Sequence, residues 1–220
     1  AVHLSPPLRR AVYPLLVASQ TIPIPVIAAL LVVWLGFDLA PKLVIIGRDG
    51  VLNQYKEEHI KSPEEFEPIP GALEAVSRMC HAGFHVVMAT NQPGLGQGVL
   101  DMTTLNAVHL HMNQLLQRMG GRIDGVFLCP HTPAEQCECR KPAPGLLKLI
   151  GERFGTDLAD VAVVGDTVRD LQAAQAAGCE PHLLLTGRSQ DLPQAQAEHM
   201  VSGIPGARVH ADLASFAQDL

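Results

Sequence analysis

From Lys42 onward, short apolar segments alternate with longer helical segments that end at glycine. Apolar segments of this length, rich in Val, Leu and Ile, are typical of strands buried on both faces. Strand–helix alternation with short connections predicts an α/β fold with a parallel sheet covered on both sides. We expect strands at 42–46, 84–89, 125–129, 161–164 and 182–185, and helices at about 71–81, 101–120, 144–154 and 167–177.

Three polar clusters come just after three of these strands. They are Gly-Arg-Asp at 47–49, Thr-Asn at 90–91 and Gly-Asp at 165–166. In open parallel sheets, ligands bind beyond the carboxyl ends of the strands. The clusters therefore predict a binding site along one edge of the sheet.

The side chains expected at this edge are those that phosphoryl transfer requires: a proton shuttle, carboxylates for a divalent cation and donors for the transferred charge. Asp49 suits the shuttle, and Gly50 lets the chain turn away sharply after it. Asp166 suits a Mg²⁺ ligand, and Asp170 lies one helical turn later on the same face. The candidate donors are Thr90, the Asn91 backbone and Lys141.

Each of these residues also has an ordinary structural interpretation. An aspartate after a strand is often a helix N-cap, which applies to Asp166. Thr90 and Asn91 form a common turn pair, and Lys141 alone is typical of a solvated surface charge. Their order along the chain and their common position at strand ends favour a functional site.

A second motif lies between the third strand and the next helix. It consists of a Cys-x-His pair at 129–131 and a Cys-x-Cys pair at 137–139. Three thiolates and one imidazole match a tetrahedral Zn²⁺ site of the structural kind. A disulfide framework is the alternative, but five cysteines are an odd number and Cys-x-Cys is too tight to bridge comfortably. The predicted zinc ligands are Cys129, His131, Cys137 and Cys139.

The N-terminal 41 residues differ from the rest. No charged residue occurs from Ala11 to Phe37, a length that could span a bilayer, although Pro14, Pro23 and Pro25 oppose a continuous span. Residues 13–23 and 31–37 resemble part of an ABC-transporter permease subunit, so residues 11–40 look like a fragment of one. We expect a fusion or gene-boundary artefact at 1–41 before a catalytic domain at 42–220; a membrane anchor and a buried extra helix are the alternatives.

The motifs from 42 to about 190 together resemble a known family. They are the Asp-Gly turn at 49–50, Thr-Asn-Gln at 90–92, the Cys-x-His…Cys-x-Cys loop, Arg-Lys-Pro-x-Pro-Gly at 140–145 and Gly-Asp-Thr at 165–167. This order resembles the haloacid dehalogenase (HAD) superfamily. The zinc loop joined to Arg-Lys-Pro resembles its D-glycero-D-manno-heptose 1,7-bisphosphate phosphatases, in the same branch as the histidinol-phosphate phosphatases.

The resemblance implies a three-layer Rossmann-like HAD fold with a central parallel sheet, small cap loops and a zinc-binding loop. It also implies a Mg²⁺-dependent cytoplasmic enzyme that forms an aspartyl-phosphate and removes the 7-phosphate of a heptose precursor of lipopolysaccharide. The expected partner is a phosphorylated sugar and the expected state is a monomer. The net charge of −6 and the absence of a basic run argue against nucleic-acid binding.

The resemblance also assigns residue roles. It implies Asp49 as acid/base, Thr90 and Lys141 as phosphate contacts, and Mg²⁺ ligands at Asp49, Asp166 and Asp170. The implied substrate contacts are Asn53, Tyr55, Lys56, Glu57, Glu58, Asn91, Gln92, Pro93, Arg140, Lys141 and Thr167.

Two departures from the family pattern bear on activity. Gly47 stands where the family has its nucleophilic aspartate, and glycine can neither attack phosphorus nor offer a carboxylate to Mg²⁺. The segment 90–98 also lacks the arginine that follows Thr-Asn-Gln in the family. We therefore expect reduced or lost turnover. The alternatives are a phosphatase for histidinol phosphate or another small monoester, and a non-catalytic, zinc-braced phosphate-binding protein.

Overall fold

The apolar segments of the sequence pair side by side into a parallel sheet, as their pattern predicts. The computed structural model describes residues 42–220, and within this range the sheet has six strands in the order β3-β2-β1-β4-β5-β6. The predictions for residues 1–41, including the separate extension, the membrane segment and the permease likeness, fall on residues outside this range. None of the helices from 42 to 220 has the length and apolar character of a membrane span.

The strands and helices alternate along the chain. The strands are β1 (Leu43–Ile46), β2 (His85–Asn91), β3 (Gly125–Cys129), β4 (Ala162–Gly165), β5 (Glu180–Leu184) and β6 (Arg208–His210). The α-helices are α1 (Ala72–His81), α2 (Pro93–Gly96), α3 (Met102–Arg118), α4 (Gly145–Phe154), α5 (Val168–Ala177), α6 (Gln194–Val201) and α7 (Leu213–Phe216). Short 3-10 turns lie at Pro63–Glu65, Pro133–Glu135, Leu158–Asp160 and Gly187–Ser189.

The core has two large apolar layers, one on each face of the sheet, and a smaller apolar cluster between β5, α5 and α6. Successive side chains of β1 point to opposite faces, so Val44 and Ile46 belong to one layer and Leu43 and Ile45 to the other. Helices α1, α3 and α7 supply the first layer, and α4 and α5 supply the second. Burying each such side chain contributes roughly 1.5–3 kcal/mol, which explains why β1 has no polar position.

Strand β1 determines where the functional edge lies. It pairs with β2 on one side and with β4 on the other, so the strand order reverses between β1 and β4. A crevice forms at the carboxyl edge of an α/β sheet at such a reversal. The three polar clusters of the sequence all reach this edge.

The observed elements differ from the expected ones in a few places. Strand β2 continues to Asn91, because Thr90 and Asn91 pair with Leu128 and Cys129 of β3; these residues end the strand rather than follow it. Strand β5 begins at Glu180, earlier than expected. Helix α2 and the elements from α6 to α7 were not predicted, because each is too short to show a clear apolar period.

Candidate active site

A cleft of about 140 Å³ opens at the carboxyl edge of the sheet, beside the reversal in strand order. Most of the predicted site residues line it. They are Gly47, Asp49, Tyr55, Lys56, Glu57, Thr90, Asn91, Pro93, Arg140, Lys141, Asp166, Thr167 and Asp170. Three predicted substrate contacts, Asn53, Glu58 and Gln92, are not among its lining residues.

The turn after β1 brings Gly47 and Asp49 to the floor of the cleft. The Gly47 N–H donates to the Val164 carbonyl at 2.9 Å, which continues the β1–β4 pairing by one residue. Gly50 has a φ of 79°, and a side chain there would overlap the Asp166 carboxylate. Glycine at residue 50 therefore allows the sharp turn that the sequence predicts, and it also lets Asp166 approach closely.

The Asp49 carboxylate is held by a buried polar network. The Arg48 guanidinium, only 1% exposed, donates to both of its oxygens at 3.0–3.1 Å. Asn53 and Gln92 each donate a further hydrogen bond, at 3.1 and 3.0 Å. Burial opposes ionisation of Asp49, but Arg48 and the two amides outweigh it and lower the pKa of this carboxyl. Asn53 and Gln92 thus contact Asp49 from behind the cleft.

Arg48 also contacts His109 of α3, and sequence reasoning did not identify either residue. The guanidinium lies 3.2 Å from His109 Nε2. Burial and the Arg48 charge lower the pKa of His109 to about 4, so the imidazole is neutral at pH 7 and accepts a hydrogen bond from Arg48. Because the His109 imidazole is uncharged, the positive charge of Arg48 stays directed at the Asp49 carboxylate.

Two aspartates face the cleft from the start of α5. Asp170 forms an ion pair with Lys141 at 2.5 Å. Asp170 also accepts hydrogen bonds from the Thr167 N–H and hydroxyl, so the N-cap of the helix is Thr167 rather than Asp166. Burial and the neighbouring Asp170 carboxylate raise the pKa of Asp166 to about 7. Two crowded, buried carboxylates are a donor set that hard divalent cations bind.

Lys141 is fixed to the sheet at both its backbone and its side chain. The Asn91 amide pairs with the Lys141 backbone, accepting its N–H and donating to its carbonyl, both at 3.1 Å. The Lys141 ammonium donates to the Ala89 carbonyl at 2.9 Å. Asn91 thus anchors the 140–141 loop on β2, and its side-chain amide is occupied by this contact.

The four predicted zinc ligands converge at one point beside this loop. Their ligand atoms all lie within 4.8 Å of one another, with sulfur–sulfur distances of 3.2–3.5 Å. Burial raises the pKa of Cys129 to about 12, whereas hydrogen bonds from Cys139 and Cys129 outweigh burial at Cys137 and lower its pKa to about 7. A site with three thiols and one imidazole at such spacings has the donor set of a tetrahedral Zn²⁺ centre.

Several lining residues were not predicted from the sequence: Arg48, His59, Arg169 and Arg188. Arg188 follows β5, and its guanidinium stacks on the Tyr55 ring with 4.2 Å between its central carbon and the ring centroid. The sequence signal for Arg188 is its position beyond a predicted strand, and the signal for Arg169 is its position next to Asp170. Neither signal was sufficient to identify the residue as part of the cleft before the structure was known.

The chain is similar to known phosphatases over most of its length. A family model described as HAD-hydrolase-like matches residues 138–215. The D-glycero-beta-D-manno-heptose-1,7-bisphosphate 7-phosphatase of Bordetella bronchiseptica is 48% identical over 180 residues, covering 81% of this chain and 97% of that protein. The protein of the same name from Pseudomonas aeruginosa is 42% identical over 150 residues, covering 68% and 84%.

A solved structure shares the arrangement. The crystal structure of D,D-heptose 1,7-bisphosphate phosphatase from B. bronchiseptica, complexed with magnesium and phosphate, matches with a TM-score of 0.75 and 46% identity. The match covers 81% of this chain and 97% of that one.

Proposed function

Because this chain belongs to the D-glycero-D-manno-heptose 1,7-bisphosphate 7-phosphatase family of HAD-type phosphatases, we propose that its cleft binds a heptose 1,7-bisphosphate together with Mg²⁺. The observation that carries this proposal is the cleft itself, where Asp49, Asp166 and Lys141 meet at one sheet edge. The names of the B. bronchiseptica and P. aeruginosa relatives support the β-anomer of the sugar, and the magnesium and phosphate in the B. bronchiseptica structure support the metal and the phosphate. A sugar phosphate of lipopolysaccharide synthesis and five free cysteines support a cytoplasmic location.

The roles of the cleft residues follow from their chemistry. Asp166 and Asp170 provide carboxylate oxygens for Mg²⁺, and the bound cation supplies charge neutralisation for phosphate oxygens. Lys141 and Thr90 donate to the phosphate that is transferred. Arg140, half-buried next to Lys141, is a substrate contact. The remaining proposed substrate contacts are Tyr55, Lys56, Glu57, the Asn91 backbone, Pro93 and Thr167.

Asp49 acts as the proton shuttle in this proposal. It lies two residues after the position of the nucleophile, so it reaches the leaving oxygen of the sugar. Its pKa is lowered by Arg48 against the effect of burial. A carboxyl held in the ionised form is better suited to accept a proton from water than to donate one to the leaving group. When an anionic phosphate approaches, it raises the pKa of Asp49. The carboxyl can then bind a proton and donate it to the leaving group.

Gly47 removes the group that would attack phosphorus. The remaining contacts for phosphate and sugar do not involve a side chain at residue 47, so we propose that binding is retained and that turnover is slow. Loss of a nucleophile costs on the order of 10³- to 10⁶-fold in rate. A binding protein that hydrolyses its ligand slowly, or not at all, is therefore the form of the function that Gly47 favours.

The Cys/His cluster binds Zn²⁺ in this proposal and has a structural role. Its last ligand, Cys139, directly precedes Arg140 and Lys141. A bound ion, held by four protein ligands, supplies cross-links that fix the loop carrying these two cations. The free thiols and their spacing support this role.

The test compares the unmodified chain with Gly47→Asp and with Gly47→Asn as a matched control, measuring phosphate release from the heptose bisphosphate with Mg²⁺. An added Cβ would lie 3.0 Å from Val51 Cγ2, a contact that a small shift of Val51 relieves, so both variants are expected to fold. We expect turnover in Gly47→Asp alone, at least about 10³-fold faster than in the other two. Inactivity of all three folded proteins, or equal activity of all three, would contradict the proposal.

A further inference from the structure

Arg188 occupies a fixed position at the rim of the cleft. It belongs to the 3-10 turn Gly187–Ser189 after β5. The turn is tied to the cleft floor: the Arg188 N–H donates to Asp166 Oδ2 at 2.9 Å, and the Ser189 hydroxyl donates to the Asp166 carbonyl at 2.6 Å. The Thr186 hydroxyl donates to the Gly50 carbonyl at 2.6 Å. Arg188 is therefore anchored to the turns that carry Asp49 and Asp166.

The Arg188 side chain reaches across the cleft mouth to Tyr55. Its guanidinium lies over the Tyr55 ring at 4.2 Å, and its Nη2 donates to the Tyr55 hydroxyl at 2.5 Å. Tyr55 belongs to the loop that follows β1, whereas Arg188 follows β5. The pair thus orients the guanidinium by stacking and by a hydrogen bond, which leaves the other N–H groups available.

This guanidinium has no carboxylate partner among the described residues. The ion pairs within residues 42–220 include Lys141, Lys56 and Arg48 from the cleft, but not Arg188. Arg169 and Arg140, which also line the cleft, are likewise absent from those ion pairs. Unpaired arginines around one opening form a site for an anion with several oxygens.

The cations of the cleft thus lie in two zones. Lys141 lies in the floor, is 7% exposed and is neutralised by Asp170. Arg188 and Arg169 are exposed at the rim. One phosphate at the floor does not need both zones, whereas a sugar carrying a second phosphate presents an anion to the rim.

We propose that Arg188, oriented by Tyr55, binds the phosphate of the substrate that is not cleaved, with Arg169 at the start of α5 contributing charge. The proposal rests on the proposed function, and it assigns discrimination between bisphosphorylated and monophosphorylated sugars to this pair. Tyr55 acts as a positioning residue for Arg188.

Calorimetric titration of the chain with two sugar phosphates, in the presence of Mg²⁺, tests the assignment. The two probes are D-glycero-β-D-manno-heptose 1,7-bisphosphate and D-glycero-D-manno-heptose 7-phosphate, which lacks the second phosphate. We expect Arg188→Gln to weaken binding of the bisphosphate roughly 10- to 100-fold and to change binding of the 7-phosphate less than about threefold. Arg188→Lys should recover part of the loss, because it keeps the charge without the planar fork. Tyr55→Phe should give a smaller loss with the same selectivity.

Arg153→Gln is the matched control, since Arg153 is an exposed arginine on α4 that does not line the cleft. It should leave both affinities unchanged. Equal weakening of the two esters by Arg188→Gln, or no weakening of either, would overturn the assignment to the second phosphate while leaving the proposed function intact. Failure of the unmodified chain to bind either ester would overturn the proposed function together with this inference.

Discussion

Replacing Lys141 by Met should destabilise the fold strongly, because it leaves a buried carboxylate without its cation. Lys141 and Asp170 are 7% and 6% exposed and lie 2.5 Å apart. The ammonium also donates to the Ala89 carbonyl. The side chain of Met has a similar length and fills the same space, so the main loss is electrostatic rather than one of packing.

The size of the loss follows from the burial of the pair. Removing one member of a buried ion pair costs about 3–5 kcal/mol, because the other charge stays desolvated. For a protein of this size, about 1 kcal/mol shifts Tm by roughly 2–4 °C, so Lys141→Met should lower Tm by about 6–20 °C. The double variant Lys141→Met with Asp170→Asn removes both charges, and it should be at least about 1 kcal/mol more stable than Lys141→Met alone.

The pH dependence gives an independent readout. Burial opposes ionisation of Asp170, but Lys141 and Thr167 outweigh it and lower its pKa in the folded protein. This group therefore stabilises the unmodified chain above its unfolded pKa, and that contribution is lost as pH falls through the folded pKa. In Lys141→Met only the Thr167 hydrogen bonds still oppose the effect of burial, so the pKa of Asp170 rises above its value in the unmodified chain. The stability difference between the two proteins should therefore narrow as pH falls from 7.5 towards 4.5.

Urea denaturation followed by circular dichroism, in buffer without added Mg²⁺, measures these free energies of unfolding. Lys148→Met is the control, because Lys148 is an exposed lysine on α4, and its loss should stay within about 0.5 kcal/mol. A loss below about 1 kcal/mol for Lys141→Met would refute the reasoning. The loss of unfolding free energy in the double variant could also equal the sum of the losses in Lys141→Met and Asp170→Asn. That result would refute the reasoning as well, since the two charges would then not be coupled.

Two further predictions concern other parts of the fold. Inductively coupled plasma mass spectrometry should find about one zinc ion per unmodified chain and less in Cys139→Ser. Cys80→Ser, which changes a buried thiol outside the cluster, should keep the zinc content of the unmodified chain. Burial and the neighbouring His210 lower the pKa of His182 to about 4, so its contribution to stability is present above about pH 6.5 and is lost as pH falls towards 4. The free energy of unfolding should therefore fall by up to about 3 kcal/mol over this range, and His182→Gln should flatten that part of the profile.

The sequence sufficed for the features that depend on local pattern and spacing. Five strands were predicted because each is a continuous apolar segment, and the meeting of three thiols and one imidazole at one point because their spacing along the chain is short. The network behind Asp49 was not predicted, because Arg48, His109 and Gln92 lie far apart in the chain and meet only after α3 packs on the sheet. The Tyr55–Arg188 pair joins residues 133 positions apart, which no local pattern reveals.

The structure also explains why the fold tolerates glycine at the position of the nucleophile. The backbone N–H of Gly47 bonds to the Val164 carbonyl, and Val51 Cγ2 lies only 3.0 Å from where a Cβ of residue 47 would be, so the turn closes without a side chain at residue 47. Asp49 is held by Arg48 and two amides, and Asp166 by the 186–189 turn. Under the proposed function, the binding geometry and the attacking group are therefore separable: similarity of fold and motifs supports what the cleft binds, whereas hydrolysis would depend on one side chain that the packing does not require.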